Sequence, residues 1–367
     1  MKLVVLKFGG TSVADIPQIK KIAVKVKNEV NQGNKVIAVV SAMAGVTNNL
    51  IELVKSTSDT PSYSEYDVVL STGEQVTSAL LAISLESLKI KARSWLGWQV
   101  PIISDKSYGK AVIEDIKTEQ ILKFFNKNQV AIVSGFQGVS DENRITTLGR
   151  GGSDTSAVAI AAAFSADRCD IYTDVYGVYT TDPRIVKSAK KLDIITYEEM
   201  LELASQGAKV LQTRSVALAM KYNVKLRVLS SFEDVPGTSI IKEESKMEKS
   251  EISGIAHSLN EAKITLSGVP DQPGQAAEIF GSLAKHSINV DMIVQSSSIN
   301  YEATDITFTI PETDLVIAES TIKKVQKKIG FEKFITDTNV VKISVLISSD
   351  YYELAMRSLH SAFGLDV

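Results

Sequence analysis

A lysine followed by paired glycines near the amino terminus is the first group of residues that suggests chemistry. Lys7 follows an apolar run, and Gly9, Gly10 and Ser12 come next within KFGGTS. Glycines let backbone N–H groups approach phosphate oxygens, and lysine adds a positive charge that attracts a phosphate. The same residues also suit an ordinary glycine turn between a strand and a helix. The segment is therefore a candidate phosphate site, with the ordinary turn as an open alternative.

A second glycine pair lies in TLGRGGSDTSAVAIA, between charged residues. Gly151 and Gly152 lead to Ser153, which we interpret as the N-cap of a helix rich in small residues. Arg150 carries a forked guanidinium that suits a carboxylate, and Asp154 places its own carboxylate in the first helical turn. Helix capping explains Ser153 and Asp154 but gives no reason for Arg150. The loop is therefore a candidate site for a carboxylate ligand.

Two further segments place polar groups where ligands commonly bind. In YTDVYGVYTTDPRIV, Thr173 and Asp174 end a predicted strand, and ligands of open α/β sheets bind at such strand ends. Tyr179 and Arg184 follow and suit a nucleotide, although a structural turn accounts for these residues equally well. In STGEQVTSALLA, Glu74 lies near the start of an apolar helix, where the helix dipole favours a negative charge whatever its function.

Composition and missing motifs exclude several classes of protein. The net charge of -3 over 367 residues gives no electrostatic case for nucleic acid or an anionic membrane. The longest apolar run, 157–164, is far below the roughly 18 residues of a membrane-spanning helix. The single Cys169 fits a reducing compartment and the histidines are scattered, so we expect a cytoplasmic protein without a metal cage. The P-loop, dinucleotide-fold and protein-kinase motifs are absent from the sequence.

Short β-branched runs alternate with helical patterns from residue 1 to about 240, which predicts an α/β domain with a largely parallel sheet. The predicted strands are residues 2–6, 35–41, 130–135, 168–173 and 225–230. The first helix has Asp15 as a candidate cap, Pro17 in its first turn and Gly33 after its end. The glycines of KFGGTS thus fall in the loop between the first strand and the first helix.

The charged segment 241–250 has no apolar face and is the predicted linker to a smaller domain. A ferredoxin-like βαββα order is predicted beyond it, with strands at 262–269, 288–295 and 305–310 and helices at 275–286 and 313–328. DITFTIPETDLVIAESTIKKV and VKISVLISSDYYELAMRSLHSA share a strand, an acidic turn and an amphipathic helix. The second half of the small domain thus occurs twice and its first half once, unless the two units are alike by chance.

Together these segments resemble the motifs of monofunctional aspartate kinases, which combine an amino acid kinase fold with carboxyl-terminal ACT domains. KFGGTS, VVSAMAGVTNNL, STGEQVTSALLA, GFQG, TLGRGGSDTSA, TDVYGVYTTDPR and GAKVLQTRSV occur in that family's order and spacing. DQPG, INVDMIVQ and TDITFT are similar to the first ACT unit. The resemblance covers almost the whole chain. It implies a catalytic domain at 1–240, a first ACT domain at 251–335 and a truncated second ACT domain at 336–367, with 252–257 as an extra strand of the latter.

The resemblance implies that ATP, with Mg²⁺, phosphorylates the side-chain carboxylate of L-aspartate to give 4-phospho-L-aspartate. This is the first step towards lysine, threonine, methionine and diaminopimelate. A carboxylate nucleophile needs no general base, because its reference pKa of about 3.9 leaves it ionised at neutral pH. The implied partners are aspartate, ATP and a second copy of the chain bound through the ACT region, with neither nucleic acid nor a membrane.

The resemblance also assigns roles to individual residues. Lys7 would stabilise the transferring phosphoryl group, and Asp154 would hold Lys7 in place. The implied aspartate contacts are Ser41, Thr47, Glu74, Arg150, Gly151, Gly152 and Ser153, with Arg150 on the α-carboxylate and Glu74 on the ammonium group. The implied ATP contacts are Lys7, Phe8, Gly9, Gly10, Thr173, Asp174, Tyr179, Thr180, Arg184, Lys209 and Val210. Mg²⁺ would bridge phosphates rather than occupy a protein cage.

Two departures from the family pattern alter these expectations. The family usually has His-Pro after GAKVL, where this chain has Gln212 and Thr213, so we expect altered local packing rather than lost catalysis. The second ACT domain lacks about one βαβ segment, so we expect weakened or lost inhibition by lysine and threonine. One wall of the implied effector pocket is matched by Asp271, Gln275, Asn289, Asp291 and Gln295.

Two alternatives to an aspartate kinase remain. Another enzyme of the same fold, acting on glutamate, acetylglutamate or uridylate, is disfavoured by the RGGSD segment and by the ACT units. A non-catalytic regulator that binds amino acids is disfavoured because the charged residues of the implied site are all intact.

Overall fold

The structure, a computed structural model, describes residues 1–125, 130–208, 210–242, 252–286, 288–297, 303–347 and 351–362. The chain divides into two compact units, the first made of Met1–Ile255 with Val345–Val367 and the second of Ala256–Ser344. The first unit contains an eight-stranded sheet and a small four-stranded sheet, and the second is built on another four-stranded sheet. The predicted α/β class, with a large and mostly parallel sheet, is confirmed.

The strands in chain order are β1 (Leu3–Phe8), β2 (Lys35–Val40), β3 (Ala92–Trp95), β4 (Ile102–Ser104), β5 (Ile113–Ile116), β6 (Val130–Ser134), β7 (Gln137–Val139), β8 (Ile145–Thr147), β9 (Arg168–Thr173), β10 (Ile194–Thr196), β11 (Leu226–Ser230), β12 (Thr238–Ile241), β13 (Ile252–Pro270), β14 (Asp291–Ser297), β15 (Ala303–Pro311) and β16 (Lys333–Ile347). The α-helices are α1 (Ile16–Asn31), α2 (Val46–Thr57), α3 (Tyr63–Ser87), α4 (Glu119–Phe125), α5 (Gly152–Ala163), α6 (Tyr197–Ser205), α7 (Thr213–Tyr222), α8 (Gln275–Ala284), α9 (Leu315–Ile329) and α10 (Tyr352–Ala362).

The eight-stranded sheet has the order β10-β12-β11-β9-β1-β2-β6-β3. Its pairings are parallel except that between β11 and β12. The near-continuous apolar runs of β2 and β6 are typical of parallel strands that are covered on both faces. All five strands predicted for this region are present. β1 extends two residues past its predicted end, so Lys7 lies within the strand rather than after it.

Side chains along β1 point alternately to the two faces of the sheet, so the core side chains and Lys7 lie on different faces. Leu6 and Phe8 are fully buried in a core cluster with residues of α1 and α3. Successive strand residues face opposite sides, so Lys7 lies on the other face of the sheet, where α5 packs. Cys169 of β9 is also fully buried, and burial raises the pKa of its thiol well above the usual range.

The start of α1 follows the sequence prediction closely. Asp15 is the N-cap, and its side chain accepts a hydrogen bond from the backbone N–H of Gln18 at 2.8 Å. Pro17 lies in the first turn, where a missing N–H costs nothing, and Gly33 follows the end of the helix with a φ of 83°. This confirmed start leaves residues 9–15 as the connection between β1 and α1.

Helix α3 is long and apolar enough, by length and composition, to cross a membrane. This is weak evidence for a membrane span, since half of its most apolar window is buried inside the protein. Its buried residues include Asp67, which accepts hydrogen bonds from the N–H groups of Gly109 and Thr147. The helix also packs against β3 and β6, as a core helix does.

The second unit confirms the predicted ferredoxin-like order and adds a strand to it. Its sheet has the order β14-β15-β13-β16, and α8 packs against α9. The core is apolar, with Ile264, Phe308 and Ile322 fully buried. The predicted extra strand at 252–257 is continuous with the first ACT strand, because β13 runs unbroken from Ile252 to Pro270. Its assignment to a second ACT domain stays a prediction.

The domain boundaries predicted at 241–250 and at 336 do not coincide with clear breaks in the described structure. Most of the predicted linker, 243–250, lies outside the described residues. β16 runs without interruption across residue 336, where the second ACT domain was expected to begin. α10 supplies the helix expected after that strand, and it has no buried residues. The division into two ACT domains stays a prediction.

Removing a buried side chain of α3 should cost far more stability than removing an exposed one. Leu81 is fully buried, whereas Ile83 on the same helix is 61% exposed. We expect Leu81→Ala to lower the free energy of unfolding by about 2–5 kcal/mol, through lost burial and a residual cavity. The matched change Ile83→Ala should cost no more than about 0.5 kcal/mol. Urea denaturation measures both, and equal effects would contradict the assigned orientation of α3.

Candidate active site

A cavity of about 300 Å³ lies at the carboxyl ends of β1 and β2 and at the amino ends of α2 and α5. Ten of the sequence-predicted site residues line it, namely Lys7, Gly10, Ser41, Thr47, Glu74, Arg150, Gly151, Gly152, Ser153 and Asp154. These residues come from four segments that are distant in the sequence. The fold therefore brings together the candidate phosphate loop, the candidate carboxylate loop and Glu74.

The closest charged contact in the cavity joins β1 to α5. Lys7 Nζ lies 2.5 Å from Asp154 Oδ1, and each side chain is only 11% exposed. Gly9 packs against this pair, because a Cβ added there would lie 3.3 Å from Lys7 Nζ. Asp154 thus compensates a nearly buried ammonium group and fixes its position at the cavity wall.

The amino end of α5 differs from its sequence prediction by two residues. Gly151 is the N-cap, with a left-handed φ of 70°, and Ser153 lies inside the first turn rather than at the cap. A Cβ at residue 151 would lie 1.8 Å from Gln212 Cγ, so only glycine fits both the backbone conformation and the available space. The cap has no side-chain hydrogen bond, and the helix presents its amino end to the cavity. This end attracts an anion.

Glu74 lies in the middle of α3 rather than near its start, so the helix dipole does not explain its charge. Its Oε1 accepts a hydrogen bond from the Ala42 N–H at 3.0 Å, while its buried Oε2 has no partner among the described residues. Burial raises the pKa of Glu74 to about 7, and the bond from Ala42 opposes this only in part. A cationic ligand group beside Oε2 would satisfy it and favour its ionised form.

Arg150 supplies a positive charge without a fixed partner. Its side chain is exposed at the cavity, and no ion pair holds it among the residues that the structure describes.

Two hydroxyl residues complete the cavity lining on the side of β2 and α2. Ser41 follows β2, and its N–H donates a hydrogen bond to the Phe8 carbonyl at 3.0 Å. Thr47 lies in the first turn of α2. The cavity thus combines the free Arg150, the Lys7–Asp154 ion pair, two helix amino ends and the acidic Glu74. This set matches a ligand with two carboxylates and one ammonium group.

The KFGGTS loop offers fewer free donors than its glycines suggest. Gly9 N–H donates to the Tyr172 carbonyl at 3.3 Å, so it is already used within the protein. Gly10 N–H has no hydrogen-bond partner among the described residues, and Gly10 lines the cavity. The Phe8 side chain is fully buried and stacks on Tyr172 at 4.9 Å between ring centroids. Gly10 is therefore a free backbone donor at the cavity, and Phe8 is a core residue.

The other predicted nucleotide residues lie outside the cavity lining. Thr173 ends β9, and its carbonyl accepts from the Ser231 N–H at 2.9 Å. Thr180 pairs through its backbone with Lys190 and Ile255, so two of its polar groups are occupied. The exposed guanidinium of Arg184 donates hydrogen bonds to the Asp182 carboxylate. Asp174 is exposed, Tyr179 and Val210 are half-buried, and Lys209 lies outside the described residues.

Several cavity residues were not predicted, among them Met43, Gly45 and Phe136. Phe136 has a φ of 67°, an uncommon conformation for a residue with a side chain. Its N–H donates to Ser156 Oγ at 3.1 Å and its carbonyl accepts from the Leu148 N–H at 2.8 Å. The GFQG segment that contains Phe136 was recognised as a motif, but an aromatic residue gives no sequence signal of a left-handed backbone.

The predicted effector residues lie in and around α8 and β14. Asp291 pairs with Thr309 of β15 and Gln295 pairs with Ile306, because a bulge shifts the register of β14 between them. Thr309 and Ile306 face opposite sides of the sheet, so Asp291 and Gln295 do as well. Asp271, Gln275 and Asn289 lie before β14, in or beside α8. The effector wall that these five residues were expected to form stays a prediction.

Comparisons with known protein families agree with this geometry. A model of the amino acid kinase family matches residues 2–230, and a model of the ACT domain matches residues 264–326. The chain is 46% identical to an aspartate kinase of Pseudomonas putida, over all of this chain and 98% of that protein. It is 44% identical to an aspartokinase of Mycolicibacterium smegmatis, over 94% of this chain and 83% of that protein.

Solved structures show the same likeness. Aspartokinase III of Escherichia coli in complex with aspartate and ADP, in its R-state, superposes with a TM-score of 0.80 at 27% identity, over 94% of this chain and 87% of that one. The T-state of the same enzyme, in complex with lysine and aspartate, gives a TM-score of 0.74 with the same identity and coverage.

The raised pKa of Glu74 predicts a measurable dependence of stability on pH. Because the pKa rises from 4.5 to about 7, the folded protein loses stability as pH increases through this interval. Glu74→Gln keeps an acceptor for Ala42 N–H and cannot ionise. Relative to the wild type, the variant should therefore gain roughly 1–3 kcal/mol in unfolding free energy between about pH 5 and pH 8. Urea denaturation at each pH measures this difference. A constant difference would contradict the raised pKa.

Proposed function

Because this chain belongs to the aspartate kinase family, we propose how its own residues carry out that family's reaction, the transfer of the γ-phosphoryl group of ATP to the side-chain carboxylate of L-aspartate. The observation that carries the proposal is the single cavity in which the Lys7–Asp154 ion pair lies beside Arg150 and Glu74. One end of this cavity suits a transferring phosphoryl group, and the other suits an amino acid with an acidic side chain.

The charges of the cavity support a specific orientation for aspartate. Its α-carboxylate would bind the free guanidinium of Arg150, and its ammonium group would bind the unpaired Oε2 of Glu74. The hydroxyl groups of Ser41, Thr47 and Ser153 would complete the contacts. The side-chain carboxylate would then point towards Lys7. Binding of the ammonium group would also lower the pKa of Glu74, because an opposite charge favours ionisation.

Lys7 would act on the charge that develops during transfer. The phosphoryl group spreads negative charge over its oxygens, and catalysis consists mainly of positioning and neutralising this charge. Lys7, Gly10 with its free N–H and the amino end of α5 all line this cavity, which supports this role. The transferring phosphoryl group would lie at a point between them. Asp154 would keep Lys7 oriented towards that point. No general base is needed, since the aspartate carboxylate is already ionised.

The nucleotide would extend from this point towards the carboxyl end of β9, which is formed by Thr173 and followed by Asp174. Tyr179, Lys209 and Val210 stay further predicted contacts. Mg²⁺ supplies further neutralisation of the phosphates when it is bound. Within the described residues no group of three His, Cys, Asp or Glu side chains that could hold a metal ion occurs. As the resemblance implies, the ion would be carried by the phosphates of ATP.

Finer features of the assignment rest on the resemblance. These are a place at the start of lysine, threonine, methionine and diaminopimelate biosynthesis, a cytoplasmic location and a homodimer formed through the ACT region. The edge strand β14 exposes Met292 and Ile293, which is consistent with a contact between copies of the chain.

Two observations support weakened feedback inhibition. The alignment with the P. putida enzyme spans 405 residues, more than this chain has, so part of that enzyme has no counterpart here. In addition, Lys342 of β16 forms an ion pair with Asp291, a candidate effector residue, and thereby lowers the pKa of its carboxyl group. An amino-acid effector would have to displace this internal ammonium group.

Removing the Lys7 ammonium group should abolish turnover and leave the fold intact. We expect Lys7→Ala to reduce kcat by a factor of about 10³ or more, since phosphoryl transfer depends on charge neutralisation. A hydroxamate assay for the acyl phosphate measures the product, and a thermal melt checks folding. Lys117→Ala, which removes an exposed lysine paired with Asp115, is the matched control and should retain activity. A folded and active Lys7→Ala protein would refute the assignment.

Inhibition by lysine and threonine should be weak or absent. The same hydroxamate assay, run with each amino acid at concentrations up to several millimolar, tests this expectation. If the Lys342–Asp291 ion pair blocks an effector, Lys342→Ala should increase the sensitivity to inhibition. Submillimolar inhibition of the wild type would show that the effector site is complete.

A further inference from the structure

Arg214 is a partly buried cation for which the proposed reaction has no use. It lies in the first turn of α7, where its Nη1 donates to the Leu148 carbonyl at 3.0 Å and its Nη2 donates to the Ala111 carbonyl at 2.8 Å. Asp105 favours its charge from a distance, but the Asp105 carboxylate accepts hydrogen bonds from Val112 and Ser107 instead. The two carbonyls are therefore the direct partners of the guanidinium among the described residues.

This arrangement is unfavourable for stability on two counts. Desolvation of the guanidinium lowers the pKa of Arg214, and the amino end of a helix repels a positive charge. Neutral carbonyl groups compensate a buried charge less well than a carboxylate would. The position of Arg214 is thus better explained by what its two hydrogen bonds hold in place.

Leu148, whose carbonyl binds Arg214, comes directly before the loop that carries Arg150. The Leu148 peptide is held on both sides, because its N–H donates to the Phe136 carbonyl at 2.8 Å and its carbonyl accepts from Arg214. Ala111 belongs to the neighbouring turn, and its N–H donates to the Thr147 carbonyl at 2.9 Å. The guanidinium therefore ties this turn to the start of the Arg150 loop.

The other end of the loop also contacts α7. Gln212, the N-cap of α7, packs so closely on Gly151 that a Cβ there would lie 1.8 Å from Gln212 Cγ. Arg214 thus binds the carbonyl of Leu148, and Gln212 packs on Gly151. Arg150 lies between these two contacts in the sequence. Gln212 is also one of the two positions at which this chain departs from the His-Pro of its family.

We propose that Arg214 is a positioning residue that fixes the backbone of residues 148–151, and through it Arg150, for binding the α-carboxylate of aspartate. Gln212 provides the second contact at the far end of the loop. Arg214 touches no reacting group in this arrangement. Its role in aspartate binding rests on the proposed function, whereas its hold on the loop does not.

Hydrogen exchange of the ligand-free, full-length protein tests the hold on the loop without any assay of activity. The reporters are the Gly152 N–H, which donates to the Gly149 carbonyl at 3.0 Å, and the Thr155 N–H, which donates to the Gly151 carbonyl at 3.1 Å. Arg214→Lys keeps the charge, but its ammonium group does not reproduce the two-pronged geometry. We expect exchange in the peptide spanning residues 149–155 to become about tenfold faster or more.

Arg168→Lys is the matched control. Arg168 is also partly buried, but it pairs with Glu29 and Asp170 on the opposite face of the sheet from Lys7. This variant should lose stability without faster exchange at residues 149–155. If Arg214→Lys leaves exchange there unchanged, or if Arg168→Lys accelerates it equally, the proposed hold is refuted.

Steady-state kinetics then test the consequence for aspartate. In Arg214→Lys, and more strongly in Arg214→Ala, KM for aspartate should rise about tenfold or more while KM for ATP stays within about twofold. Arg168→Lys should leave KM for aspartate unchanged. Faster exchange with an unchanged KM for aspartate would refute the positioning of Arg150. A wild-type protein that fails to phosphorylate aspartate would refute the proposed function, and the exchange result would still decide whether Arg214 holds the loop.

Discussion

The ion pair between Lys7 and Asp154 is the interaction on which the rest of the catalytic unit depends. A nearly buried ammonium group is costly unless a carboxylate lies beside it, and here the two come from segments almost 150 residues apart. β1 must lie between β2 and β9 to place Lys7, and α5 must begin next to the end of β1 to place Asp154. Close packing leaves no room for a side chain at residue 151, and a Cβ at residue 9 would press on the Lys7 ammonium group.

Much of the large sheet could be predicted because its strands are buried on both faces. Continuous apolar runs such as residues 36–40 give a strong signal, and the Asp15 cap fixes the start of α1. The weaker predictions concerned element ends and continuity. β13 was expected as two strands, since a 19-residue strand is far longer than the usual 5–6 residues. Its length depends on pairing with β15 and β16. Because these strands are distant in the sequence, the residues of β13 alone do not reveal this pairing.

The site was predictable as a set of residues but not as a geometry. The motifs named ten residues that line one cavity, yet they misplaced Ser153 at the helix cap and Glu74 at a helix start. The first error arose because a left-handed glycine can replace a side-chain cap, and the second because α3 begins eleven residues before Glu74. Phe136 and Arg214 had no signal, since one depends on an unusual backbone angle and the other on carbonyl groups of distant segments.

The buried cysteine of β9 has a consequence for how the protein withstands oxidants. Cys169 is the chain's one thiol, it is fully buried, and its raised pKa keeps it in the poorly nucleophilic thiol form. The thiolate is the form that attacks peroxides and disulfides, and these reagents must be able to reach it. Oxidative conditions that disable enzymes with exposed thiols would thus leave this chain without a sulfenic acid or a mixed disulfide as long as β9 stays within its sheet.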